Sequence, residues 1–460
     1  MLTNTFKYHL LLLILPFVAC RKYVEDVPVQ GQRVLVYTDD YRMLMNNTDD
    51  QQYAAGLLPA LSCDDAAITD TVLKTQLMTN PIQSAVYTWS KPFYVNQQSD
   101  YDWNILYNCI YTYNVVITGV LNSEGGAAVL KNTVLGEALV HRAFTYFMLC
   151  NMYARQYDDA TAATDPGVPL LLEPKLFTSL VRTPVKKVYD QIIADLNQAL
   201  PLLPAKPEIN FRPSQTSAYA LLSRVYLFMR NFDTAASYAD SSLAIDGQLY
   251  DYNKTISGST FVWPTQYNDP QILLRKVPRA TFDPLQLSAD LLALFDPKDL
   301  RNMFVKDGSN FYPGFTGSGF WNRNYYSDYS DASPLGLTVN ETWLIKAECL
   351  ARTGKKDDAI QMLNTLRMLR FRPSDFTPLT AATNDAALQL VINERRLEFF
   401  GTGLRWFDQR RLNKDALFAK TVTRVLGGVT YILKPDGNGY VFPLASILIA
   451  QSPEMIQNPD

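Results

Sequence analysis

The sequence predicts a mostly α-helical fold. It reads as a scaffold of about four antiparallel helical pairs, interrupted by long loop-rich, aromatic-rich excursions and closed by a small C-terminal hairpin. Three observations carry this reading. Apolar and small residues recur at helical spacing in two well-defined segments, 216–246 and 340–370. Between them, residues 247–335 lose that periodicity and fill with Gly, Pro, Asn and Asp. Near the C-terminus, TVTRVLGGVTYIL sets two apolar runs around Gly427-Gly428, a hairpin signal, and PDGNG follows as a turn.

Taken in chain order, the first pair joins 135–153 to 186–200 across a proline-rich loop. The second, 216–246, places Tyr219, Leu222, Ser223 and Tyr226 on one helix and Ala235, Ala239 and Ser242 on the next. These intervals resemble the tetratricopeptide helix-turn-helix, where small residues let two helices approach closely. Asn231-Phe232-Asp233 makes the turn, with Asp233 expected to cap the second helix. The third pair, 340–370, repeats the pattern with Trp343, Ala347, Leu350, Ala359 and Leu363, and Gly354 ends its first helix. The fourth joins 386–400 to 404–412 across Gly401 and Gly403. Two stretches stay irregular, 62–102 and 247–335, and loops of that length in a compact protein usually carry function.

Composition narrows the functional classes. The chain has 460 residues and a formal charge of −3, which argues against a nucleic-acid partner, since that needs a basic face. Its two histidines are His9 and His141, too few for a His-rich metal centre. Cys63, Cys109, Cys150 and Cys349 follow no CxxC or zinc spacing, and the sequence does not pair them. No EF-hand spacing is present, and no cofactor is expected.

Residues 1–20 read MLTNTFKYHLLLLILPFVAC, with Lys7 ahead of a short apolar run, the order of a secretory signal. Val18-Ala19-Cys20 resembles a bacterial lipobox, with Phe17 where leucine is usual. The expected organisation is a signal peptide at 1–19, a tether at 20–38 lipidated on Cys20, and one domain at 39–460.

Candidate binding residues gather in the excursions. Tyr312, Trp321, Tyr325 and Tyr326 lie among Asn322 and Arg323, a mixture suited to stacking on sugar rings while hydrogen-bonding hydroxyls. Trp89, Tyr94 and Trp263 are secondary candidates. The plainer reading is that such rings pin an irregular segment to the scaffold. The charged segment ERRLEFFGTGLRWFDQRR, 394–411, lacks the strand and lysine of a phosphate loop and reads as Arg–carboxylate pairing within and between helices. His141 reads as packing, and no positioned acid–base pair emerges from Asp64-Asp65 or Asp328/Asp331.

Several of these motifs coincide in one known family. The chain resembles the SusD/RagB family of Bacteroidetes surface lipoproteins. GEALVHRAFTYF, 136–147, is similar to the family's G-E-A-x-x-x-R-A-x-x-Y-F helix. The 394–411 segment is similar to its E-R-R-x-E-x-x-x-E-G-x-R-x-x-D-x-R-R signature, with Thr402 where an acidic residue often stands. The closing segment resembles Pro-Ile-Pro…Asn-Pro, with Ala445 replacing the second proline. The resemblance implies a non-enzymatic protein on the outer face of the outer membrane, capturing oligosaccharides or peptides. It also implies a partner TonB-dependent transporter of the SusC/RagA type, over which such proteins sit as a lid.

Overall fold

A computed structural model describes residues 35–176, 178–257, 260–261, 266–279, 282, 284–310, 314–321 and 335–460. The candidates Trp263, Tyr312, Asn322, Arg323, Tyr325 and Tyr326, and the leader with Cys20, lie outside them.

The longer helices are α1 (Thr38–Met45), α2 (Leu57–Ser62), α3 (Thr71–Thr79), α4 (Pro81–Thr88), α5 (Tyr101–Gly119), α6 (Ala128–Tyr153) and α7 (Val185–Ala199). They continue as α8 (Gln215–Phe228), α9 (Phe232–Ile245), α10 (Val339–Arg352), α11 (Lys356–Met368), α12 (Asn384–Phe399) and α13 (Leu404–Leu412). Helices α6/α7, α8/α9 and α10/α11 pack as pairs, and successive pairs stack, α7 on α8 and α9 on α10. Buried side chains from Tyr41 to Met455 form one contiguous core.

The small residues do more than permit close approach. Ser223 Oγ donates to the Ala235 carbonyl at 2.9 Å and Ser242 Oγ to the Thr216 carbonyl at 3.0 Å, so α8 and α9 are hydrogen-bonded across their seam. Tyr238 lies between Tyr219 and Tyr226, with ring centroids 6.2 and 5.5 Å away. In the next pair Trp343 Nε1 donates to the Met362 carbonyl at 2.9 Å, and Gly354 takes φ +85° just beyond α10. The cap of α9 is Asn231, whose Oδ1 accepts from Thr234 N at 3.2 Å, and Asp233 sits in the first turn instead. Arg230 takes φ +63° and starts the chain reversal one residue earlier than the sequence signal placed it.

Two expectations change. The 62–102 stretch contains α3 and α4, capped by Asp70 and Asn80. Helices of about two turns show too little periodicity to be read, although Asn80-Pro81 is a start signal. The fourth pair is not a packed hairpin. Helix α12 lies on α10 and α11, while α13 turns away at Gly401 and Gly403 (φ +76° and +93°) to pack on α2. The described residues form four short antiparallel ladders. Strand β1 (Ile272–Leu274) pairs with β4 (Leu337–Thr338), and β2 (Leu285–Gln286) with β3 (Phe320–Trp321). The C-terminal hairpin is β5 (Val422–Leu426) with β6 (Val429–Leu433), its turn Gly427-Gly428 at φ +59° and +80° as a type I′ turn requires. The fourth ladder pairs Ile256–Ser257 with Thr260–Phe261.

Candidate functional site

The structure joins the two irregular stretches at a common base. Ala67 N donates to the Gln286 carbonyl at 3.0 Å, and Ser288 N to the Asp65 carbonyl at 2.7 Å. The Gln286 side-chain oxygen accepts from Thr69 N and Asp70 N at 2.6 and 2.9 Å, while its amide donates to the Ser318 carbonyl at 3.2 Å. Asp70 then accepts from Thr316 N at 3.0 Å. Thus the strand ending at Trp321 is tied to the 65–70 loop by a lattice of hydrogen bonds that includes the Asp70 carboxylate.

Three of the sequence candidates fall within the described residues, and all three are buried: Trp89 at 8% exposure, Tyr94 at 5% and Trp321 at 4%. Trp321 meets Phe400 edge-on at 6.3 Å. Gly401 is obligatory beneath it, because a Cβ there would lie 2.4 Å from the indole. Trp89 donates from Nε1 to the Ser62 carbonyl at 2.9 Å. The Arg424 guanidinium lies 4.5 Å from the Trp89 ring and 4.0 Å from the Tyr87 ring. For Tyr94, burial and then the carboxylates Asp100 and Asp102 raise its phenol far above the usual range. Their burial leaves these three rings no open face for a sugar. Trp321 packs at the base of the excursion, while Trp89 and Tyr94 pack within the 62–102 stretch and against the C-terminal hairpin and Asp100. Trp321→Ala should therefore destabilise the protein by about 3–5 kcal/mol in urea unfolding. An unchanged midpoint would restore Trp321 as an exposed ligand contact.

Arg424 is the supporting residue that sequence reasoning missed. Its guanidinium donates to the carbonyls of Leu61, Cys63 and Ala66 at 3.0, 2.5 and 2.9 Å, and to that of Tyr87. A signal existed: alternation along β5 puts Arg424 on the same inward face as Leu426, an unusual place for an arginine.

The 394–411 segment is an ion-pair core, as its composition suggested. Arg395 bridges Asp408 at 2.7 Å and Glu341 at 3.0 Å, and Arg411 bridges Glu348 at 2.5 Å and Asp408 at 2.8 Å. Glu341 also receives Arg224 from α8. Glu398 takes Arg370 and Arg301, each at 2.7 Å. Arg396 and Arg405 reach Asp65 and Asp64 at 2.6 and 2.7 Å, fixing the 62–70 loop to α12 and α13. So the adjacent carboxylates Asp64-Asp65 are each clamped by arginine. His141 is buried, stacked on Tyr113 with centroids 5.5 Å apart, and burial followed by Lys276 and Arg42 holds its pKa well below the usual imidazole value. The thiols of Cys63, Cys109, Cys150 and Cys349 are buried and free. Among the described residues no helix is long and apolar enough to cross a membrane, and no group of three or more His, Cys, Asp or Glu could hold a metal ion.

A stacked-pair scaffold carrying a tied-down excursion defines a class of helical-repeat scaffolds. The comparisons with known proteins agree with that architecture. A sequence model described as "Starch-binding associating with outer membrane" matches residues 38–227, and one described as "SusD family" matches 339–460. The chain belongs to the SusD/RagB family. Among relatives, it is 30% identical over 167 residues to SusD-like protein P2 of Formosa agariphila, a match spanning 33% of this chain and 31% of that one. A SusD superfamily structure from Bacteroides thetaiotaomicron superposes with TM-score 0.76 at 21% identity, covering 92% of this chain and 100% of the other. A laminarin-binding SusD-like protein superposes with TM-score 0.64 at 19% identity, covering 92% and 99%.

Proposed function

We propose that this protein is a cell-surface nutrient-binding protein that captures oligosaccharides and passes them to a TonB-dependent transporter of the SusC/RagA type. The observation carrying the reading is the base just described. Trp321 and Leu335, both buried, bound a stretch that holds Asn322, Arg323, Tyr325 and Tyr326, with Trp263 and Tyr312 in neighbouring parts of the same excursion. Aromatic and amide side chains on a fixed support suit glycan contact. A laminarin-binding protein of the same fold supports a carbohydrate ligand. The outer-membrane association in the family description supports the surface location, with Cys20 as the lipid-bearing residue and residues 20–38 as the tether. We read the chain as a binding protein rather than an enzyme, since the adjacent carboxylates Asp64-Asp65, the pair the sequence offered for acid–base work, are each held by an arginine.

Isothermal titration calorimetry of the chain against laminarin and other oligosaccharides tests this. Binding should weaken at least tenfold in Tyr325→Ala/Tyr326→Ala with no change in Tm. Binding of peptides but no glycan would move the assignment to peptide capture. Absence of both would leave a transporter lid without a ligand of its own. In a separate test, Cys20→Ala should shift the protein from the membrane fraction to the soluble fraction.

A further inference from the structure

Among the described residues only three aromatic rings are exposed, Tyr37, Tyr101 and Tyr111, in a chain with 27 tyrosines, 23 phenylalanines and 6 tryptophans. Two of them stand on α5, at 53% and 40% exposure, and the third, Tyr37, bridges to Glu124 just past the end of that helix. Between the two rings of α5 lie Asn104 and Asn108, also exposed. Intervals of three, four and three residues put all four side chains on one face, with about 15 Å of helix from Tyr101 to Tyr111. The opposite face fixes the helix in place: Trp103, Leu106, Ile110 and Tyr113 are buried, and α5 packs along α6.

This face departs from an ordinary solvated one. The chain is 19% charged, yet no residue from Trp103 to Ser123 carries a charge. The outer faces of α7 and α11 instead expose Lys186 and Asp190, and Asp357 and Asp358. Asparagine weakens a helix interior, and neither Asn104 nor Asn108 offsets that with a side-chain hydrogen bond among the described residues. The third asparagine of α5, Asn114, is buried, accepts from Arg142 at 2.8 Å and donates to the Leu171 carbonyl at 2.9 Å. Helix stability and core packing therefore explain neither the two exposed amides nor the two rings. Charge closes the strip at both ends, with Arg279 and Asp50 beside Tyr53 and Tyr101, and Glu124 beyond Ser123. A strip one helix wide and ~15 Å long is a small part of the ~800 Å² per partner that a stable protein interface buries. An uncharged strip suits an uncharged ligand: ring faces stack on the C–H face of a sugar, and amides donate to and accept from its hydroxyls.

We propose that this face of α5 binds a neutral oligosaccharide, with Tyr101 and Tyr111 stacked on sugar rings and Asn104 and Asn108 bonded to hydroxyls between them. The proposal rests on the glycan reading above for the class of ligand, while its site is separate from the excursion. Tyrosine nitration by tetranitromethane, mapped by mass spectrometry on the whole chain, reads each ring separately. Laminarihexaose or maltohexaose in excess should slow nitration of Tyr101 and Tyr111 roughly tenfold and leave Tyr37 reactive. Asn104→Asp/Asn108→Asp, exposed changes that keep the fold and both rings, should abolish the protection. Protection of Tyr325 and Tyr326 reports on the excursion alone, so either site can fail without the other. The proposal is overturned if neither saccharide protects the two rings, if Tyr37 is protected equally, or if folded Asn104→Asp/Asn108→Asp keeps full protection. Protection by a co-purified transporter and by neither saccharide would give the face to a protein partner and overturn it as well.

Discussion

Lys276→Met should remove a rise in folding stability of about 1.5–2 kcal/mol between pH 7 and pH 8.5. Lys276 is fully buried, donates from Nζ to the Gln51 carbonyl at 2.6 Å and lies 5.0 Å over the Phe144 ring. Desolvation lowers its pKa from 10.5 to about 7, against a small opposing effect of Cys109. The sign follows directly. Above pH 7 the folded chain sheds this proton while the unfolded chain holds it up to 10.5, so the unfolded state binds more protons and stability climbs with pH. Below pH 7 the folded protein must bury the charge.

Three groups act the other way, mostly outside this window, and all stay in both proteins. Asp102, raised from 3.8 to about 7 by burial and then by Asp100, makes stability fall as pH rises, mainly below pH 7 and with a small tail above it that wild type and variant share. The thiols of Cys63 and Cys150, raised by burial from 9.0 to about 12, oppose the trend only above pH 9. Urea unfolding at pH 7.0, 7.5, 8.0 and 8.5 measures the slope. Equal slopes in wild type and Lys276→Met would reject the assignment.

The second large effect lies in the ion-pair core. Glu348→Gln should cost about 3–5 kcal/mol at pH 7, since it strips two buried arginines of a shared carboxylate. Arg411 donates both Nη atoms to Glu348 at 2.5 and 2.8 Å, and Arg352 Nε donates at 2.8 Å. Desolvation pushes the Glu348 pKa upward, but Arg411 and Arg352 together outweigh it and hold the group at about 2 instead of 4.5. A depressed folded pKa gives stability that is complete above the unfolded value of 4.5 and lost as pH falls toward 2. The gap between wild type and Glu348→Gln should therefore narrow by about 2 kcal/mol from pH 6 to pH 3. Parallel stability curves over that range would mean that Glu348 is not the titrating group. Glu398, also at about 2 under Arg370 and Arg301, stays in both proteins and cancels in the difference.

Much of this architecture was legible because it is local. The α8/α9 and α10/α11 pairs are written as small residues at helical spacing with a glycine or asparagine at the turn, and each signal acts within one or two helical turns. The pairing of the 394–411 charges was legible in kind, because so many arginines and carboxylates on short helices must neutralise one another if buried. Their partners were not. Glu341, Glu348 and Asp65 come from distant segments, and only the stacking of α12 on α10 and of α13 on α2 delivers them. Helices α3 and α4 were missed because two turns carry almost no period, and the fourth pair was misjudged because Gly401 permits more than one exit direction.

The aromatic residues mark the same division. The sequence by itself placed Trp89, Tyr94 and Trp321 in irregular stretches, where a ring without a helical face reads as available to a ligand. Availability depends on what covers the ring, and the cover comes from elsewhere: Arg424 of the C-terminal hairpin over Trp89, Phe400 against Trp321. Arg410 is the converse case. In sequence it is one of five similar arginines of the 394–411 segment, and only the tertiary structure leaves it without a carboxylate among the described residues. Periodicity and capping are properties of neighbouring residues and are encoded in order. Burial and charge compensation are properties of distant segments brought together, and they exist only once the chain has folded.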